Sequence, residues 1–348
     1  MHLSDGLFGI ELPIIQAPMA GATTPEMVIA VSEAGGLGSL PAAMYTPDGL
    51  RAALEVVRKG TSRPINVNFF CHAIPADDPA RMTAWRRRLR PYYLEEGLDP
   101  DASAAGAERT PFDEELCAIV EEYRPEVVSF HFGLPAAELL ERVRRSGAKV
   151  ISSATTADEA RWLEARGVDA VIAMGAEAGG HRGMFLTDDL STQLGTFALV
   201  PRIVDAVDVP VIAAGGIADA RGVASALALG AAAVQIGTAY LFTPEANIHP
   251  VYRAALSSGE RRTAITNVFT GRPARGIVNR LMTELGPIDD AVPAFPGAAT
   301  AVRPLRAAAE AAGRDDFSLL WAGESFPLGR PMSAAELTRS LGEGFRSP

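Results

Sequence analysis

His181 lies in the stretch VIAMGAEAGGHRG (171–183), where Gly179, Gly180 and Gly183 surround it. Glycine lets a backbone adopt positive φ and lets a ligand come close. An imidazole can also exchange a proton near neutral pH. A histidine held this way, just past an apolar strand-like run, occupies the position of a catalytic loop residue in an α/β barrel. The competing reading is a solvent-exposed histidine in a flexible turn. A second imidazole, His131 in SFHFG, closes another apolar run. It is either a satisfied core residue or a functional group at a strand end. Asn68 ends PINVNFF and can donate to and accept from a planar heterocycle, or simply satisfy local backbone groups.

Two further strand ends carry glycine: Gly215-Gly216-Ile217 and Gln235-Ile236-Gly237-Thr238. Glycine turns and helix N-termini present backbone N–H groups that favour anions. In (β/α)8 barrels the loops after the seventh and eighth strands are the usual phosphate site. The pair therefore predicts phosphate binding, against tight turns that merely close the barrel. The run Gln16 to Gly21 (QAPMAG) offers small groups after the first strand, suited to a flat ligand lying against backbone.

Composition narrows the chemistry. The formal charge of −10 over 348 residues argues against a nucleic-acid surface. The two cysteines, Cys71 and Cys117, have no metal-ligand or CxxC spacing, which fits a reducing compartment and no metal site. MHLSDGLFGI lacks the basic and apolar regions of a signal peptide, and no apolar run is long enough for a membrane span. The expected location is the cytoplasm. No P-loop pattern occurs. The acidic pairs Asp77-Asp78 and Asp188-Asp189 read as solvated, and His2, His72 and His249 read as surface residues.

The elements that must position these residues alternate. Short apolar runs start near 13, 37, 64, 127, 149, 169, 210 and 231, with helix-like segments between them. Helix starts are marked by Thr24-Pro25, Thr46-Pro47, Asp219 and the box-like spacing Thr156 to Glu159. Eight strand–helix units with continuously apolar strands predict a (β/α)8 TIM barrel. QAPMAGAT is not a dinucleotide fingerprint, which disfavours a doubly wound sheet. Residues 72–112 interrupt the third unit as a solvated helix and loop or as a lid over the site. They include the basic residues Arg86, Arg87, Arg88 and Arg90 and the small-residue stretch DASAAGAE. The expected division is a barrel over 1–246 and a helical subdomain over 247–348, packed near the active site.

Taken together, QAPMAG, PINVNFF, SFHFGLP, EAGGHRG, AAGGI and QIGT resemble the nitronate monooxygenases, formerly 2-nitropropane dioxygenases. SFHFGLP and LLWAGES (319–325) point to the class I branch, and the match runs from about residue 9 to 343. The resemblance implies non-covalent FMN and oxidation of nitronates such as propionate 3-nitronate by O2, to a carbonyl compound plus nitrite. It implies that Asn68, Gly179, Gly216, Gln235, Gly237 and Thr238 touch FMN, with Gly180 in the same set. Gly215 and Ile217 complete the phosphate turn. Ala17, Pro18 and Met19 face the flavin ring, and His131 and His181 face the substrate. Met174 stands at a flavin contact where the family has Gln. Phe295-Pro296 replaces a Tyr-Pro, and Arg303 falls near a family Lys. A flavin-dependent NAD(P)H:quinone or enoyl reductase on the same barrel is the alternative, and a phosphate-binding barrel without redox chemistry is the third. A monomer or homodimer acting on small molecules is expected.

Overall fold

The computed structural model describes residues 7–101 and 110–345. His2 and residues 102–108 of the small-residue stretch lie outside that range. The first units form as their caps dictate. β1 (Ile14–Gln16) leads to α1 (Pro25–Glu33), and β2 (Gly38–Pro41) to α2 (Pro47–Gly60). Thr24 and Thr46 each accept a backbone N–H of the first turn, and proline fills the first helical position where its missing N–H costs nothing. After β3 (Ile65–Phe70) comes the interruption, folded as α3 (Pro79–Glu95), and then α4 (Glu114–Tyr123). The regular alternation resumes with β4 (Val127–His131), α5 (Ala137–Arg145), β5 (Lys149–Ala154), α6 (Ala157–Glu164) and β6 (Ala170–Met174).

Past β6 the chain makes a two-residue strand, β7 (Gly180–His181), before α7 (Thr196–Val204), β8 (Val211–Ala214), α8 (Ala220–Ala228) and β9 (Ala233–Ile236). The eight barrel strands are all parallel, in the order β1-β9-β8-β6-β5-β4-β3-β2. The ring closes where Leu37 N donates to Ile14 O at 2.9 Å and Gln16 N to Leu37 O at 3.0 Å. The fold is therefore a (β/α)8 barrel. Alternation explains the unbroken apolar strands: Ala170 and Ile172 face the interior, while Val171 and Ala173 face the helices, and all are buried.

The tail supplies α9 (Pro250–Ser257), β10 (Thr263–Thr266), β11 (Ala274–Ile277), α10 (Arg280–Leu285), α11 (Ala298–Ala311) and α12 (Ala334–Gly342). Besides helices it thus carries two strands, and β10, β11 and β7 form a separate antiparallel sheet. Trp85, Leu89 and Tyr92 of α3 share one apolar core with Val302 and Leu305 of α11. The interruption and the tail are built into each other. α12, started by a complete capping box at Ser333 and Glu336, packs on α1 and α8 and covers the barrel beside β1.

Two local readings change. Thr156 caps α6, but the Glu159 carboxylate does not complete a box. It turns inward to accept from Thr155 N at 2.7 Å and Phe185 N at 2.6 Å, pinning the chain that follows His181. His72 is not a surface residue. It is 5% exposed, and its ring packs against Phe295 at 4.9 Å, because the tail covers a strand end that would otherwise face solvent. Asp78 and Asp189 stay exposed and serve as local caps.

Candidate active site

A cavity of about 380 Å³ opens at the C-terminal ends of the barrel strands. That volume suits a small ligand. Each residue expected at a catalytic or FMN position lines it: Ala17, Pro18 and Met19 after β1, Asn68 on β3, His131 on β4, and Met174 on β6. The rest arrive from Gly179-Gly180-His181, Gly215-Gly216-Ile217, Gln235, Gly237 and Thr238.

The end beyond β8 and β9 is made of backbone. Gly215 and Gly216 have φ of 111° and 73°, which L side chains rarely adopt. Gly216 O accepts from Ser325 Oγ at 2.6 Å, and Thr238 Oγ1 accepts from Gly323 N at 3.0 Å. The 323–325 segment of the tail therefore fixes both turns. A Cβ on Gly237 would meet nothing closer than Ala17 Cβ at 3.5 Å and Met19 Sδ at 3.7 Å, so the bare backbone there borders the cavity. Gln235 Oε1 is buried without a partner among the described residues. A buried amide oxygen in that state is open to a donor from outside the protein, a ligand or a water. Asn68 Nδ2 donates to Ser129 Oγ at 2.9 Å, and the residue also borders the cavity.

The β6 end is made of side chains. β7 pairs antiparallel with β11, placing His181 opposite Ala274, and Arg182 N donates to Pro273 O at 2.8 Å. His181 is therefore held on a short strand and is not free in a flexible turn. Its Nε2 lies 2.9 Å from Thr270 Oγ1, and its ring packs with Phe295 at 5.2 Å and Trp321 at 5.5 Å. The residue after it points the other way. Arg182 is fully buried and donates to Met174 O and Gly175 O, each at 2.7 Å, and to Gln193 Oε1 at 2.9 Å. All three acceptors are neutral. Burial pulls its guanidinium down to about 10, with Arg275 adding to the effect. Glu177 accepts from Thr196 N at 2.8 Å and ties the cavity wall to the start of α7.

His131 sits behind this strand. Its Nδ1 lies 2.6 Å from Ser153 Oγ and its Nε2 3.2 Å from His181 O. Burial, with the nearby Arg272 adding to it, drives its pKa down to about 3. Met174, 8% exposed, presents a thioether to the cavity and gives its carbonyl to Arg182. Phe295 adds an apolar ring beside His181, where a phenol would have added a donor. Arg303 is exposed. The cation of α11 that lines the cavity is Arg306, one turn on, paired with Glu310 at 3.3 Å.

Sequence reading missed Arg182, Ser153, Glu177, Thr270 and the Gly323–Ser325 segment. Arg182 stood beside His181 in the same motif, but nothing local says that it points inward. Thr270 and the tail segment are far away in the chain and are brought in by β11.

The family model described as nitronate monooxygenase matches residues 2–344. A nitronate monooxygenase of Pseudomonas aeruginosa is 43% identical, covering 98% of each chain. One from Paraburkholderia phytofirmans is also 43% identical, over 96% of this chain and 92% of the relative. Among solved structures, a nitroalkane oxidase from Streptomyces ansochromogenes superposes with a TM-score of 0.88 at 38% identity, covering 97% of this chain and 96% of that one. FabK from Thermotoga maritima follows at 0.74 and 29%, covering 99% and 96%. With a family match over nearly the whole sequence and relatives above two-fifths identity, the chain belongs to the nitronate monooxygenase family of oxidoreductases.

Proposed function

We propose that the chain oxidises small alkyl nitronates, propionate 3-nitronate among them, to a carbonyl compound and nitrite, with FMN in the cavity and O2 as the electron acceptor. The observation that carries this reading is one cavity with an anion-suited backbone end, an orphaned Gln235 Oε1 and an imidazole at its other end. Gly215, Gly216, Ile217, Gly237 and Thr238 would hold the phosphate. Ala17, Pro18, Met19, Asn68, Met174, Gly179, Gly180 and Gln235 would border the ring. When bound, FMN supplies the electron-transfer and O2 chemistry.

The protein's own part is binding and proton handling. His181 lines the cavity on a strand fixed by β11 and Thr270, so it can hold a nitronate anion by hydrogen bonding. With a neutral nitroalkane, the same imidazole would remove the α-proton. The rings of Phe295 and Trp321 beside it exclude water and strengthen both interactions. Both cysteines are free thiols, and we place the protein in the reducing cytoplasm.

The likeness to FabK favours one alternative, a flavin reductase drawing on NAD(P)H. A visible spectrum of the purified protein separates the two. Flavin bands that change on anaerobic addition of propionate 3-nitronate, with little response to NADH, support nitronate oxidation. Full bleaching by NADH with no response to nitronate supports the reductase. A protein that stays colourless after FMN is added back would remove both.

A further inference from the structure

We infer that His131 is a positioning residue: held as the neutral Nε2–H tautomer between Ser153 and the His181 carbonyl, it fixes the strand carrying the His181 ring and transfers no proton itself. The inference rests on the proposed role of His181. It stands on hydrogen-bond geometry. His181 O can only accept, so the His131 nitrogen 3.2 Å away must carry the proton. That leaves Nδ1 as an acceptor, and Ser153 Oγ at 2.6 Å is the donor that satisfies it. The opposite tautomer would set a lone pair against a carbonyl oxygen. Both ring nitrogens are therefore used within the protein, and no lone pair remains to act as a base.

The surroundings hold this arrangement. Phe132, the next residue, sits at φ 71°, a conformation a bulky side chain adopts only when its neighbours impose it. Its ring lies under the Arg272 guanidinium at 3.9 Å, and Arg272 in turn donates to Met184 O. Gly183 is needed next to this contact: a Cβ there would lie 2.7 Å from Ser153 Oγ and 3.0 Å from His131 Cε1. The charged groups that act on His131 are Arg272 and Arg182, both cationic, and both oppose its protonation. The barrel thus grips the His181 strand at its carbonyl from one side, while β11 grips it from the other.

Histidine-selective ¹⁵N labelling followed by two-dimensional NMR tests this directly, since the chain holds five histidines. The His131 ring signals, identified by their loss in His131→Gln, should keep the Nε2–H pattern from about pH 5 to about pH 9, a window about the usual imidazole value. Titration within that range, or an Nδ1–H pattern, would overturn the assignment. Kinetics give the second readout. His131→Gln, whose amide can still donate to the carbonyl, should retain kcat within about fivefold. His131→Phe should lose roughly 10- to 100-fold in kcat with little change in KM, the scale of a small displacement of a reacting group. Both variants should keep the shape of the wild-type pH profile. A pH limb that disappears in either would make His131 the proton-transfer group, and an unimpaired His131→Phe would end the positioning role. Absence of nitronate turnover in the wild type would count against the reaction, whereas the ring signals decide the hydrogen-bond geometry without any turnover.

Discussion

At the β8 and β9 end of the cavity much of the lining is main chain, with Gly215, Gly216 and Gly237 presenting no side chain beside Gln235 and Thr238. At the β6 end the lining is an imidazole suspended between two parts of the molecule, with Thr270 and β11 on one side and His131 and Arg182 on the other. The first end depends on conformations that only glycine adopts easily, each set within its own turn, although the 323–325 segment of the tail also holds both turns. The second depends on contacts between segments about ninety residues apart in sequence, such as His181 with Thr270. The conformation of the glycine turns is thus written locally, while the setting of the His181 ring is assembled from distant parts.

Substitutions can break or sharpen this contrast. The largest effect belongs to His181. Replacing it with Asn should lower turnover of a neutral nitroalkane by about 10²- to 10⁴-fold, the usual range for a lost general base. The loss on a nitronate should be markedly smaller, and steady-state rates on both substrates measure it. Equal losses would mean that the imidazole only orients substrate. Arg182→Met should come next, because it leaves Met174 O, Gly175 O and Gln193 Oε1 without their donor. About 2 kcal/mol of stability should be lost, read from thermal or urea unfolding, and unchanged stability would show that the β6 end does not need its buried cation. Gly216→Ala should act on the other end alone. A side chain at φ 73° costs about 1–2 kcal/mol, and flavin retained per protein after dialysis should fall while the His181-dependent discrimination between substrates survives. If that discrimination is lost as well, the two ends are not separable. The smallest effect is expected from Thr270→Val, which removes one hydrogen bond to His181. Its worth of about 1 kcal/mol predicts roughly a fivefold loss in kcat on nitroalkane.

This contrast also explains what could be read from sequence. The barrel was legible because strands buried on both faces are apolar throughout, and because Thr24, Thr46 and Asp219 announce their helices by local capping. The glycine turns were legible for the same local reason. Thr156 and Glu159 show the limit: their spacing matched a capping box, yet the carboxylate found better donors in Thr155 and the Phe185 backbone. No rule of spacing anticipates that competition. His72 looked like a surface residue because it lies past the end of the apolar run PINVNFF, and nothing local predicts the Phe295 ring that covers it. The strand β7 escaped notice because two residues carry no periodicity, and its partner β11 lies beyond β9.

One feature of the architecture bears on how the chain reaches this state at all. The last helical cover of the barrel, α12, reaches α1 and α8 only after the whole tail has been made. There Leu337 and Leu341 join the main core, and the Thr338 hydroxyl bonds the buried Tyr240 phenol at 2.8 Å. During synthesis the strands and their first helices emerge with that seam still open, its apolar surface exposed to water or to another nascent chain. Such long-range closure slows folding and lengthens the time spent aggregation-prone. Protein made without residues 334–345 should accumulate as insoluble material even though every residue lining the cavity is present. The yield of soluble protein should then depend on a helix that lines no part of the cavity.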